Sequence, residues 1–143
     1  MGTTTFTGPV RSGPILNTSG DIIGVDVANV GFAVLAQSFP IVEDGATTET
    51  TIVLPVGATI LFIQFNANVA FGANLDVLAT DSSGTTASIV AAATPTLGIN
   101  AFTPGTLSET TAWQAATTDI RIDVTSAAAG VGEGVLTVIY VQN

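Results

Sequence analysis

The sequence contains no cysteine, no histidine and no lysine. Without cysteine there is neither a disulfide framework nor a thiolate site, and the redox compartment leaves no mark on the chain. Without histidine, cysteine or lysine the commonest general bases, nucleophiles and Schiff-base formers are missing, which leaves carboxylates, hydroxyls and Tyr140 for any chemistry. Positive charge is nearly absent too: Arg11 and Arg121 stand against eleven acids, a net charge of −9. Neutralising a phosphate backbone takes several cations, so the chain reads as a partner of neither nucleic acid nor an anionic membrane. The acids are scattered along the chain rather than massed in a disordered acidic tail.

Long hydrophobic runs are also lacking, although hydrophobic residues are not. Charged residues make up 9% of the chain, against about 25% in ordinary domains, while apolar residues reach 47% and the mean hydropathy is +0.61. The densest stretch, IVLPVGATILFIQF, is interrupted by Pro55, Gly57, Thr59 and Gln64. Its longest unbroken run, Ile60 to Ile63, falls far short of the roughly 18 residues of a spanning helix. The apolar surplus is therefore expected inside a fold or between subunits. At 143 residues the chain fits one domain with a sizeable core. Its opening, MGTTTFTGPVRSGP, has no basic region followed by an apolar run and so does not read as a secretory signal. Phe6 occupies the position where a myristoylation site has Ser or Thr.

Threonine, valine, isoleucine and alanine dominate, with turn residues at short intervals, a pattern of short strands rather than helices. In DIRIDVT, Ile120, Ile122 and Val124 alternate with Asp119, Arg121, Asp123 and Thr125, one face apolar and one polar. The small-residue stretch SAAAGVGEG then reads as a loop, and VLTVIYVQ as a strand apolar on both faces. Together they predict a C-terminal antiparallel hairpin whose second strand is covered on both sides. Upstream, NVGFAVLAQS, ETTIVLP, ATILFIQFN, NLDVLAT and TASIVAA are separated by the turn material EDGATT, NVAFGAN and DSSG. Strands at such spacing predict an all-β antiparallel sandwich or barrel. TASIVAAATPTL is the most helix-like segment, but its β-branched residues and Pro95 oppose a long helix. Two segments read as irregular: residues 1–28, with Gly8, Pro9, Gly13, Pro14, Gly20 and Gly24, and LGINAFTPGTLSETTAW, which ends at the one tryptophan. The expected organisation is an extended N-terminal arm over residues 1–28 and a β-sandwich domain over residues 29–143.

Candidate chemistry is sparse. A pair of carboxylates flanking a sugar is conceivable, but nothing in the spacing of the eleven acids selects one. TDSSG at Thr80–Gly84 and VEDG at Val42–Gly45 resemble fragments of oxygen-ligand loops without the spacing or terminal glutamate of an EF-hand. Asp81 and Asp44 are therefore expected to shape turns through their side-chain oxygens. No metal and no cofactor is expected. The NTS triplet at Asn17 reads as a coincidental sequon in the absence of an export signal. The aromatic residues are spread out, with no cations interleaved, and read mostly as core. Phe6 is the exception, since its surroundings are too polar and too rich in glycine and proline to form a core of their own. Pro9 and Pro14 restrict the backbone around Arg11, and a lone guanidinium can bond a partner carboxylate through two N–H groups. Phe6, Pro9, Arg11, Pro14 and Ile15 are thus candidate partner-binding residues of the arm. Trp113 with Asn100 is the one pairing suited to a glycan, although Trp113 reads more simply as a core anchor before a strand.

The stretches MGTTTFTGPVRSGP, NVGFAVLAQS, TAWQAATTDIRIDV and GVLTVIYVQN resemble small structural proteins of tailed bacteriophages. That resemblance implies a non-enzymatic virion structural protein, a capsid decoration or cement protein with a jelly-roll-like β-domain. It implies binding to the major capsid protein on the outer surface of the capsid shell, commonly as a homotrimer, after synthesis in the host cytoplasm. The alternative is a head or tail fibre domain, an adhesin for host glycans, because jelly-roll sandwiches also serve as lectins.

Overall fold

A computed structural model describes residues 33–102 and 118–142. They form eight strands: β1 (Ala33–Asp44), β2 (Thr47–Leu54), β3 (Ala58–Val69), β4 (Leu75–Asp81), β5 (Thr86–Ala93), β6 (Gly98–Phe102), β7 (Ile120–Ser126) and β8 (Ala129–Gln142). No helix occurs among the described residues. One sheet has the order β1-β8-β3-β6 and the other β2-β7-β4-β5. The pairs β2–β7, β3–β6, β3–β8, β4–β5 and β4–β7 are all antiparallel. In the remaining pair, Ser38 meets Thr137 and Glu43 meets Gly132, so β1 also runs against β8. Only β4 and β5 are consecutive strands of one sheet, and every other link crosses between layers. This is the all-β antiparallel jelly roll, a sandwich of two four-stranded sheets.

The core follows from alternation. Ile52 and Leu54 of β2, Leu75, Val77 and Ala79 of β4, Ile122 and Val124 of β7 and Leu136, Val138 and Tyr140 of β8 all point between the sheets. Phe65 and Phe71 meet there edge to face, with ring centres 5.1 Å apart. β3 changes phase near its start: Ile60 is buried, and the next buried residue is Ile63 rather than Phe62. The pairing with β8 slips between Ile60 and Phe62, so a bulge turns the strand by one residue and both halves keep their apolar side inward. It slips again between Ala67 and Val69.

A larger irregularity interrupts β2 and β7 between Glu49 and Val53. Side chains replace the lost ladder bonds there. The Thr50 hydroxyl donates to the Ile122 carbonyl and accepts from the Ile52 N–H, while Gln37 of β1 accepts from the Val53 N–H at 3.2 Å and donates to its carbonyl at 2.7 Å. The Gln37 bonds to Val53 tie the β1 edge of one sheet to the β2 edge of the other, and Gln37 also donates to the hydroxyl of Tyr140 on β8, in its own sheet.

Four expectations are corrected. The C-terminal hairpin does not exist, because β7 and β8 lie in different sheets. Ala127 and Ala128 carry the chain across, and this crossing packs on the one between β1 and β2: the Ser126 N–H bonds the Ala46 carbonyl, and Gly45, at φ +72°, lies so close that a Cβ would sit 2.7 Å from the Ala129 nitrogen. The stretch SAAAGVGEG is no loop either, since β8 begins at Ala129. Gly130, Gly132 and Gly134 fall on its inner side, where a Cβ would collide with Glu43, Phe71 and Phe65 respectively. Nor is β8 covered on both sides: its inner residues are buried, but Val135, Thr137, Ile139 and Val141 are only half-buried. Finally, the segment read as irregular from Leu97 contains β6, a short strand pairing with β3.

Candidate functional site

The two sheets present outer faces of opposite character. Residues directly opposite each other in an antiparallel pair share a face. With Phe65 and Leu136 in the core, Gln64 and Thr137, Asn66 and Val135, and Phe62 and Ile139 therefore point outward from the β1-β8-β3-β6 sheet. The same rule puts Ile99 of β6 beside Asn66, and the Ser38–Thr137 contact puts the even-numbered residues of β1 on this side. The resulting face is uncharged over most of its area. Ile99 is 71% exposed, Val34 63% and Val42 52%. Its acids, Asp44 and Glu133, lie at the end where β1 finishes and β8 begins.

The outer face of the β2-β7-β4-β5 sheet is polar and bonded to itself. Arg121 of β7 donates through Nε to Asp123 Oδ1 at 2.7 Å and through Nη2 to Glu49 of β2 at 3.1 Å. Thr80 of β4 donates to the other Asp123 oxygen at 2.7 Å, and Thr47 meets Thr125. Asp123 is 3% exposed. Burial opposes its charge, but the hydrogen bonds from Arg121 and Thr80 outweigh that, and its carboxyl is held below the ordinary range. Arg121 is accordingly a structural cation, committed to its own sheet.

An open depression of about 370 Å³ lies at one end of this sheet, lined by Val53, Thr80, Asp81, Ser82, Asp119 and Arg121. Each of its loop carboxylates uses an oxygen to accept backbone N–H groups, Asp81 within its own turn and Asp119 from the link between β2 and β3. Asp119 accepts the Val56 N–H at 2.8 Å, and Asp81 accepts the N–H groups of Ser83 and Thr85 at 2.8 and 3.0 Å. Asp81 therefore shapes a turn, as expected, and Asp44 does the same by accepting the Ala46 N–H at 3.0 Å. No group of three or more potential metal ligands occurs among the described residues, nor does any helix long and apolar enough to cross a membrane.

Asn100 is occupied by its own loop: its amide oxygen accepts from Thr96, and its nitrogen donates to the carbonyls of Thr96 and Gly98. It does not stand free for a sugar. Trp113 lies outside the described residues, as do Phe6, Pro9, Arg11, Pro14 and Ile15 and the boundary expected at residues 28 and 29. The feature that sequence reasoning missed is the uncharged outer face. Its signal was present in VLTVIYVQ, apolar at both parities, but was read as a strand covered from both sides.

No protein-family model matches the chain, and no curated protein does. Solved structures do. A chain of the cyanophage Pam1 capsid asymmetric unit aligns with a TM-score of 0.51 at 16% identity, covering 91% of this chain and 99% of that one. A chain of the acidic stable capsid of the Helicobacter pylori bacteriophage KHP30 aligns with a TM-score of 0.45 at 15% identity, covering 76% of this chain and 86% of that one. What the cyanophage comparison shows in common is the fold, shared nearly end to end.

Proposed function

We propose that this chain is a non-enzymatic structural protein of a bacteriophage virion, a decoration or cement protein. It binds the major capsid protein on the outer surface of the shell and acts as a homotrimer. The observation that carries the reading is the end-to-end likeness to a chain of a phage capsid asymmetric unit, which leaves almost none of that chain unmatched. The chemistry agrees: Asp44, Asp81 and Asp119 are engaged by backbone N–H groups, Glu49 and Asp123 pair with Arg121, and the chain has no histidine, cysteine or lysine to act beside them.

Such a protein needs no reaction. A ligand that binds only the assembled lattice stabilises that lattice by mass action, and several linked copies turn weak contacts into long residence. A net charge of −9 suits a surface facing solvent rather than packaged DNA. Residues 1–28 serve as the arm, with Phe6, Pro9, Arg11, Pro14 and Ile15 laid against a neighbouring subunit or the shell. The decisive experiment is co-sedimentation of the purified protein with assembled, expanded capsids of its phage, followed by imaging of decorated particles. Stoichiometric binding with density over junctions between capsid subunits is the expected result. Failure to bind, or density at the tail, would overturn the reading.

A further inference from the structure

We infer that copies of this chain associate through the uncharged outer face of the β1-β8-β3-β6 sheet. The inference deepens the oligomer half of the functional reading and is independent of the capsid half. Four strands at about 4.8 Å spacing, about eight residues long at about 3.3 Å each, make a plane of roughly 500 Å². Ser38, Gln64, Asn66 and Thr137 share that plane with the apolar side chains, so its apolar part falls within the range of patches found on protein surfaces. Ile99 and Val42 mark its two edges, on β6 and β1, and Ile139 and Phe62 lie between them.

Charge identifies the occupant. At −9, two copies repel wherever their acids face each other. Glu49, Asp76, Asp81, Asp119 and Asp123 all belong to the β2-β7-β4-β5 layer or its loops, so that layer is poorly suited to contact with itself. Across the other face the nearest acids among the described residues stand at one end, and over the rest the described residues of two copies can approach with no like charges opposed. A partner of different sequence would gain most by meeting the acidic layer with cations. An uncharged β-branched surface instead fits a partner that carries the same sign of charge, which is a second copy of this chain. Interfaces between identical subunits are also the more apolar class.

The test uses the full chain in analytical ultracentrifugation, with Ile99→Glu and Val42→Glu as probes and Thr86→Glu, on exposed β5 of the acidic layer, as control. All three positions are exposed, so thermal melts of dilute protein should match the unsubstituted chain. The expected result is an oligomer whose apparent Kd rises roughly a hundredfold with either probe and stays near its original value with the control. In the cysteine-free background, a bis-maleimide should join Ile99→Cys chains to one another but not Thr86→Cys chains. A monomeric unsubstituted protein, an oligomer indifferent to both probes, or equal disruption by the control would each overturn the inference. A monomer that still binds capsids removes this inference and the oligomer half of the functional reading but leaves the capsid half, whereas an oligomer that ignores capsids removes the capsid half alone.

Discussion

Glu43 on β1 and Gly132 on β8 are joined across the sheet: the Glu43 Oε2 accepts the Gly132 N–H at 3.0 Å on the inner side of the sandwich. The other carboxylate oxygen accepts the N–H groups of Gly72 and Ala73, at 2.9 and 2.5 Å, from the link between β3 and β4. A 5% exposed acid thus ties three chain segments that have few side chains of their own to interlock. The arrangement needs the bare backbone of Gly130, whose Cβ would lie 2.1 Å from Oε2. An ionised carboxylate surrounded by donors is well satisfied where an unpaired one would be costly.

Acid should weaken this tie. The Gly132 N–H, with Ala73 and Gly72 and against opposing burial, holds the Glu43 carboxyl below its ordinary value of 4.5. A depressed carboxyl stabilises the fold fully above its unfolded value and loses that contribution as pH falls through the lower folded value. Asp81 and Asp123 are shifted in the same direction. Urea unfolding from pH 7 to 3 should therefore show falling stability below about pH 4.5. Glu43→Gln should be less stable at pH 7 and converge on the unsubstituted protein in acid. Curves that stay parallel would remove Glu43 from this role.

Gly134→Ala should destabilise by about 1–3 kcal/mol, the usual cost of forcing atoms into a filled core. Its Cβ would lie 2.5 Å from the Phe65 ring and 2.6 Å from the Asn66 carbonyl oxygen, and the backbone atom cannot swing aside. Gly84→Ala meets nothing within 4 Å but sits at φ +84°, so its cost of about 1–2 kcal/mol would come from backbone strain alone. Denaturant midpoints of the two variants, with unchanged slopes, check both values.

Ala92→Gly should stabilise the protein. Ala92 has φ +53°, a left-handed conformation, at an irregularity where β5 carries extra residues against β4. Its N–H is taken up by Asp76 Oδ1 at 2.6 Å. Relief of the Cβ penalty, less the greater freedom of glycine in the unfolded chain, leaves a gain of up to about 1 kcal/mol. A lower midpoint for Ala92→Gly in urea would refute this.

Trypsin offers a direct test of the arm, because the chain has two arginines. Arg121 lies within β7, bound to Asp123 and Glu49, and should resist cleavage whether the protein is free or assembled. Cleavage after Arg11 should slow markedly on binding to capsids, as followed by mass spectrometry. Equal rates in the two states would contradict a docked arm.

Most strands were legible because threonine, valine and isoleucine alternate with polar residues wherever one face meets water, as in Ile120, Ile122 and Val124. Their partners were not. The C-terminal hairpin was inferred from closeness in sequence, whereas Ala127 and Ala128 cross between sheets by bonding their neighbours to loops far away in the chain. The glycines of β8 looked like a loop because glycine usually weakens a strand. Their spacing of two was the strand signal, written in what the core requires rather than in β-propensity. β6 was hidden because Asn100, which binds its own loop, occupies an inward position where an apolar residue would have completed the pattern. Turn acids were readable at Asp44 and Asp81, since an Asx turn is local, while the Glu43 tie depends on backbone brought from two distant places, β8 and the link between β3 and β4.

The strand order has a consequence for biosynthesis. β8 is the last of the eight to leave the ribosome, yet it occupies the gap between β1 and β3. Until it arrives, the first sheet has no middle, and the glycine-lined seat for Phe65, Phe71 and Glu43 is absent. A prematurely terminated chain would therefore offer neither a finished sandwich nor an intact outer face, so only complete translation products would be fit to join an assembly.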